Sequence, residues 1–330
     1  MCGIAGFVND MPIDVKCPVL QRMTDMIAHR GPDSEGHYID EHAALGHRRL
    51  SIIDLGGGQQ PIYNEDGSKV ITFNGEIYNY QTLREELIAA GHTFTTKSDT
   101  EVLLHGYERW GVDLLQRVRG MFTFVIWDKN KQELFGARDH FGIKPFYYAK
   151  MNGTFMYASE IKSLLRHPDF VKELNAEALK PYMTFQYPAI GETFFKGVYK
   201  LPEGHYFTYR DGKMDIHRYY DEDFREGKQK LGELVNSIDQ TVCDSVKAHQ
   251  IADVEVGSFL SSGVDSSYVA AVARPQHTYS IGFGKGTYNE SQQAGELAEL
   301  LKLNNTAESL TDEEAFAAFP RIQWHLDEPD

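Results

Sequence analysis

No run of about 18 apolar residues occurs anywhere in this sequence, so no segment of it reads as a membrane-spanning helix. The N-terminus has no basic segment leading into an apolar run, so a secretory leader is not expected. Cysteine is scarce: Cys2, Cys17 and Cys243 are too few and too scattered for a disulfide framework. Basic charge is also short, with 33 Lys and Arg against 48 Asp and Glu and a net charge of -15. Contact with phosphate backbones needs clustered Lys and Arg. No such cluster is present, which argues against nucleic acid and against an anionic membrane surface as partners. The 13 histidines show neither H-E-x-x-H nor Cys/His ligand spacing, so no structural metal site is expected. Repeats and low-complexity tracts are absent. Together these absences predict a cytoplasmic protein, in a reducing setting where a thiol stays usable.

What is present divides into two halves of different character. The 330 residues, 42% hydrophobic, suffice for about two domains with real cores. Up to about residue 210 the chain reads as β-rich with short helices. Aromatic and β-branched runs at 4–8, 70–74, 121–127, 145–149 and 154–158 predict strands. Asp66-Gly67 between apolar stretches predicts a hairpin turn. Helices are expected at 18–28, 80–90 and 100–110. From about 230 the pattern becomes strand, helix, strand, helix, the mark of a parallel α/β sheet. Helices are expected at 231–249, 267–274, 289–303 and from about 312, with strands at 253–260 and 277–283. The expected boundaries are a first domain at 2–215, a linker at 216–230 and a second domain at 231–330. Only two strands of the second domain are read, and two parallel strands make a poor independent domain, so it is expected to be incomplete.

The opening MCGIAGF sets Cys2 directly behind the initiator methionine. Removal of Met1 gives one residue a thiol and a free α-amine, a nucleophile with a base in intramolecular reach. Four further stretches carry polar groups that a strand-and-turn scaffold does not need: HRGPDSEG (29–36), GHRRLSIID (46–54), FNGEIYN (73–79) and KSDTE (97–101). Taken singly, Arg49 fits a surface ion pair, Asn74-Gly75 a turn and Asp99 a helix cap. Taken together they fit the handling of a small amino acid with a side-chain amide. Arginine matches a carboxylate bidentately, a carboxylate matches an α-ammonium, and an Asn amide beside a backbone N–H makes an oxyanion hole.

These stretches, with RDHFGIKPFYY (138–148), resemble the class II glutamine amidotransferases, the N-terminal-nucleophile glutaminases. ASEIKSL (158–164) and LPEGHY (201–206) place the resemblance with the glutamine-hydrolysing asparagine synthetases. The resemblance implies a four-layer αββα sandwich in the first domain, where periodicity alone gives α+β. It implies Cys2 as nucleophile, and Asn74 and Gly75 as the oxyanion hole. Arg49 would bind the α-carboxylate of glutamine and Asp99 its α-ammonium, with Glu76 and the stretch Leu50, Ser51, Ile52 and Ile53 lining the pocket.

SFLSSGVDSS (258–267) follows a strand and opens a helix, and it is similar to the PP-loop of ATP pyrophosphatases. Small residues let backbone N–H groups close on an anion, and the helix dipole favours it. Ser262 stands where that loop usually has its first glycine. The resemblance implies ATP held by Ser261, Ser262, Gly263, Asp265 and Ser266, with Phe259 and Leu260 beside the adenine. Mg2+ would be met by Asp265 through the Mg–pyrophosphate. GFGKG (282–286) lacks the dinucleotide-binding spacing.

The implied reaction is ATP-dependent amidation of aspartate through a β-aspartyl adenylate, with glutamine as nitrogen source. Its partners are L-glutamine, L-aspartate and ATP, and a homodimer is among the expectations. This chain itself is expected to keep only glutaminase activity, because HLDEPD (325–330) resembles a segment that continues into more of the synthetase domain. Three other readings stay open: an amidotransferase of the same plan acting on a cell-wall or surface-sugar precursor, a purine or hexosamine amidotransferase, and a non-enzymatic regulatory protein. The purine and hexosamine kinds lack a PP-loop, which disfavours them.

Overall fold

The computed structural model describes residues 1–187, 189, 191–225, 227–283 and 290–328. It forms two units, Met1–Asp223 with Leu326–Asp330, and Phe224–His325. In chain order the first unit contains β1 (Gly3–Val8), α1 (Ile13–Asp25), β2 (Ser34–Ile39), β3 (Ala43–Arg49), β4 (Ile62–Tyr63) and β5 (Lys69–Ile77). There follow α2 (Tyr80–Ala89), α3 (Asp99–Trp110), β6 (Gly120–Asp128), β7 (Glu133–Arg138), β8 (Tyr147–Met151), β9 (Thr154–Ala158) and α4 (Ile161–Leu164). The unit closes with α5 (Leu179–Phe185), β10 (Val198–Lys200), β11 (His205–Arg210) and β12 (Lys213–Arg218).

The strands make two six-stranded sheets, ordered β10-β8-β9-β1-β3-β2 and β12-β11-β7-β6-β5-β4. Every pairing in them is antiparallel. Successive strand side chains point to opposite faces, and here both faces are apolar. On β6, Phe122, Phe124 and Ile126 pack with Leu83 and Leu87 of α2 and Val102 and Leu103 of α3. The intervening Val125 and Trp127 meet Ile4, Phe155 and Phe207 between the sheets. On β1, Ala5 and Phe7 face Leu20 and Met23 of α1 and Ile161 of α4. Three apolar layers between four structural layers make the αββα sandwich. Phe155 is fully buried in the middle layer, where truncation to Ala costs about 3–5 kcal/mol.

The sheets also touch through polar groups where the site lies. His47 Nε2 on β3 donates to the carbonyl oxygen of Phe73 on β5 at 3.0 Å. Burial drives the His47 ring down to about 3, against the pull of that carbonyl. The ring is therefore neutral and acts as a fixed tie beside Asn74.

The expected first helix sits earlier than predicted, at Ile13–Asp25, with Pro18 inside it. β12 continues past position 215, where the linker was expected to begin, because residues 213–218 pair with β11.

The second unit contains α6 (Leu231–His249), β13 (Ser258–Phe259), α7 (Val264–Ala273), β14 (His277–Phe283), α8 (Ser291–Leu301), β15 (Asn304–Leu310) and most of α9 (Asp312–Leu326). β13, β14 and β15 pair in parallel in that order. Among the described residues the expectation of two strands is therefore corrected to three. β15 reads NNTAESL and is largely exposed, so it lacks the apolar run by which a parallel strand is found. The strand expected at 253–260 shrinks to Ser258–Phe259. Residues 284–286 of GFGKG and 329–330 of HLDEPD lie outside the described residues. Among the described residues no helix is long and apolar enough to cross a membrane.

Candidate active site

One cavity in the first unit is lined by Cys2, Arg49, Leu50, Ile52, Ile53, Gly75, Glu76 and Asp99. Cys2 precedes β1, which lies centrally in its sheet between β9 and β3. Its sulfur accepts from the Leu50 N–H at 3.3 Å and faces the Leu50 carbonyl oxygen at 3.5 Å. Burial pushes the Cys2 thiol up, while the Leu50 N–H, the N-terminal amine and Arg49 pull it back. A thiol held up in this way is protonated near neutrality and needs a base. The N-terminal amine, here on Met1, lies close enough to interact with it. Burial lowers that amine below its usual range, and Arg30 and Lys144 lower it further against the charges of Cys2 and Asp33. Lowering favours the neutral amine, which is the form that accepts a proton.

The two adjacent arginines at the end of β3 divide the work. Alternation sends Arg48 outward, to ion pairs with Asp25 and Glu35. Arg49 turns inward and is 6% exposed. Its Nη2 donates to the carbonyl oxygens of Ile53 at 3.0 Å and Asp54 at 2.7 Å. The loop after β3 thus wraps the guanidinium and fixes its plane. Gly58 leaves room for it, since a Cβ there would lie 2.7 Å from Arg49 Nη2.

β5 brings Gly75 and Glu76 to the cavity, while Asn74, beside them on the strand, lies outside its lining. Asn74 is 1% exposed, and its Nδ2 has no hydrogen-bond partner among the described residues. A buried amide donor without an acceptor is costly, unless an acceptor arrives during function. Gly75 follows, where a Cβ would lie 2.2 Å from the Met121 carbonyl oxygen on β6. Glu76 is raised to about 8, first by burial and then by the charge of Asp99, with Lys144 and the N-terminal amine opposing.

Asp99 opens α3, but it does not cap it. Ser98 does so, its hydroxyl accepting from the Thr100 N–H at 3.2 Å. The Asp99 carboxylate is left to face the cavity, where Oδ2 accepts from the Ile77 N–H at 3.0 Å. Burial lifts it to about 6 despite that bond and the Ser98 hydroxyl. Two carboxyl groups raised by burial mark a spot that gains from a cation.

Ser51 stands apart from the lining, its N–H donating to Asp33 Oδ2 at 2.8 Å. Gln60, Phe73, Ser98 and Thr100 also line the cavity and went unread. Gln60 bonds the Phe73 backbone on both sides, with Nε2 to the carbonyl at 3.1 Å and Oε1 from the N–H at 2.6 Å. Nothing in GGGQQP signals that role. Arg30 sits inside the quoted HRGPDSEG and donates to the Cys2 carbonyl oxygen at 2.9 Å and to Glu160 at 2.9 Å. Lys144, inside RDHFGIKPFYY, is buried with its Nζ 3.3 Å from Met1 Sδ. Both motifs were visible, and only the direction of these side chains was not.

In the second unit the segment Ser261–Gly263 joins β13 to α7. Ser266 Oγ accepts from the Ser261 N–H at 3.2 Å, and Ser261 Oγ accepts from the Gly263 N–H at 3.1 Å. The two hydroxyls lie 2.8 Å apart. The Ser262 N–H faces Glu290 Oε2 at 3.4 Å. Asp265 occupies the first turn of α7. Leu260 is buried and Phe259 is exposed.

Residues 1–220 match the family model described as glutamine amidotransferase domain, and 237–330 match that of asparagine synthase. The chain is 43% identical over 337 residues to asparagine synthetase [glutamine-hydrolyzing] 1 of Bacillus subtilis (strain 168), covering 100% of this chain and 53% of the relative. It is 32% identical over 358 residues to putative asparagine synthetase [glutamine-hydrolyzing] 2 of Methanocaldococcus jannaschii, covering 100% of this chain and 68% of the relative. The chain spans about half the length of the three Bacillus subtilis asparagine synthetases it matches. In fold it is similar to the glutamine phosphoribosylpyrophosphate amidotransferase of B. subtilis, with a TM-score of 0.50 at 16% identity, covering 93% of this chain and 65% of that one.

Proposed function

The chain belongs to the glutamine-hydrolysing asparagine synthetase family, and on that premise we propose that its first unit hydrolyses glutamine with Cys2 as nucleophile. The observation that carries this reading is the convergence of Cys2, Arg49, Gly75, Glu76 and Asp99 on one cavity. Arg49 binds the α-carboxylate of glutamine, and Asp99, with Glu76 beside it, binds the α-ammonium. The side-chain carbonyl then lies before the Cys2 sulfur. Sulfur attacks that carbon, and its proton passes to the α-amine exposed by loss of Met1. Asn74 Nδ2 and the Gly75 N–H stabilise the oxyanion. The amine returns its proton to the leaving nitrogen, ammonia departs, and water cleaves the thioester to glutamate.

The second unit supplies the ATP end of the synthesis. Backbone N–H groups and hydroxyls of Ser261, Ser262, Gly263 and Ser266 hold the pyrophosphate part of ATP, with Leu260 and Phe259 by the base. Hard oxygen donors are what Mg2+ takes, and Asp265 at the start of α7 fits that chemistry. When bound, the ion supplies counter-charge to the polyphosphate. In the complete reaction the aspartate β-carboxylate displaces pyrophosphate from the α-phosphorus, and ammonia then displaces AMP. The setting is the cytoplasm, and the assembly a homodimer.

Glutamate release from glutamine by the purified chain, without ATP or aspartate, tests the first half. Release that survives Cys2→Ala ends the assignment. Aspartate-dependent pyrophosphate release with ammonia supplied tests the second half.

A further inference from the structure

Away from the cavity, the turn after β4, the segment before α3 and the middle of α3 bring Glu65, His92, His105 and Glu108 together. One donor atom from each lies within 4.8 Å of all the others. We propose that these four side chains form a tetrahedral Zn2+ site that clips the β4–β5 turn and residue 92 onto α3.

The geometry matches the ion. Zn–N and Zn–O bonds of about 2.0–2.1 Å set tetrahedron edges of roughly 3.3–3.4 Å. His92 Nδ1 lies 3.2 Å from Glu65 Oε1, and His105 Nδ1 lies 3.3 Å from Glu65 Oε2. His105 Nδ1 lies 3.1 Å and His92 Nδ1 3.9 Å from Glu108 Oε2; with one atom per ligand every separation is within 4.8 Å, and the ion would draw the set inward. His105 and Glu108 are three apart on α3 and so share a face. Two imidazoles with two carboxylates and no thiolate suit Zn2+ rather than an ion that prefers an all-oxygen shell.

The outer groups orient these ligands. Metal-bound histidines commonly turn the second ring nitrogen to a carboxylate. His105 is 1% exposed, and its Nε2 lies 3.5 Å from Glu101 Oε1. Glu101 is held in turn by the N–H groups of Thr95 at 2.8 Å and Thr96 at 2.6 Å. The Glu108 Oε1 atom accepts from Asn64 Nδ2 at 2.7 Å, which leaves Oε2 for the ion. Glu65, Glu101 and Glu108 converge on the two imidazoles, with Lys69 Nζ 3.5 Å from Glu108 Oε1, and a divalent ion offsets that negative charge. Two ligands come from α3 and the other two from separate loops, so no single ligand spacing in the sequence announces all four.

The test uses the full, untagged chain stripped of metal by a chelator. One Co2+ per chain with the intense visible bands of a tetrahedral centre is expected, and it should persist in Cys2→Ala. Zn2+ affinity, measured by competition with a chromophoric chelator, should fall by at least about 100-fold in His92→Ala and in Glu108→Gln. Far-UV circular dichroism checks that both variants are folded. X-ray absorption of the Zn2+-loaded wild-type chain should show only nitrogen and oxygen neighbours, including imidazoles, and this arm needs no variant. The proposal is overturned by an octahedral Co2+ spectrum, by sulfur in the Zn2+ shell, or by affinity that both ligand variants leave unchanged. Any of these outcomes would reduce the cluster to a network of hydrogen-bonded ion pairs.

Discussion

Arg49 donates through Nη2 to the carbonyl oxygen of Asp54 at 2.7 Å, so the residue expected to grip the substrate is itself gripped by the loop that follows it. The guanidinium is pre-oriented before any ligand arrives. A lysine ammonium can reproduce neither the fixed plane nor the two parallel bonds to a carboxylate. Arg49→Lys should therefore cost about 1.5–3 kcal/mol in glutamine recognition, or roughly tenfold to a hundredfold, mostly in KM. Kinetics equal to wild type would take Arg49 out of the binding role.

Asn74 carries the buried Nδ2 that lacks a partner among the described residues. If that donor waits for an oxyanion, Asn74→Ala should lower kcat by about 100- to 1,000-fold with little change in KM. An equal loss in binding and turnover would assign Asn74 to holding the ground state. Gly75→Ala should act through the backbone, because the added Cβ meets the Met121 carbonyl oxygen at 2.2 Å. Overpacking of this kind costs about 1–3 kcal/mol of stability, which urea unfolding would read.

Much of this site was legible because its groups lie at strand ends and helix starts within compact motifs. Cys2, Arg49, Gly75, Glu76 and Asp99 line the cavity named from their sequence stretches. Gln60 was not legible, since its role depends on a backbone crossing from another strand, Phe73 on β5. Aromatic and β-branched runs mark β1, β5, β6, β8 and β9, while the four-layer arrangement follows from the family resemblance and not from periodicity. No such run marks β15, because its residues are polar and its place rests on pairing with β14 rather than on burial.

The two carboxyl groups give opposite pH signatures in binding and in stability. Asp99 sits at about 6. Below that pH it becomes neutral and loses its attraction for the ligand's ammonium, so KM for glutamine should rise as pH falls through 6. Asp99→Asn should raise KM throughout and flatten that dependence. In the free protein both folded values are above the ordinary ones of 3.8 for Asp99 and 4.5 for Glu76, which sits at about 8. The folded state then holds more protons, and stability is full at low pH and lost as pH rises through 6 and 8. Glu76→Gln should leave Tm little changed near pH 5 and raise it near pH 9, by roughly 1–3 kcal/mol of stability. Parallel Tm curves for the two proteins would contradict this.

Loss of Met1 is required by the mechanism, because a retained methionine ties the Cys2 amine into a peptide bond. Activity should scale with the fraction of chains lacking Met1 in the intact-mass spectrum. Full activity from a Met1-bearing chain would show that another group takes the thiol proton.

The most direct test of the central claim is covalent. A glutamine analogue with a diazoketone in place of its amide should alkylate the nucleophile only after docking in the glutamine pocket. Peptide mapping by mass spectrometry should find one label per chain, on the sulfur of an N-terminal Cys2 freed of Met1, with competition by glutamine and sharply slower labelling in Arg49→Lys. Label on Cys17 or Cys243, or labelling of Cys2 that glutamine does not slow, would contradict the account.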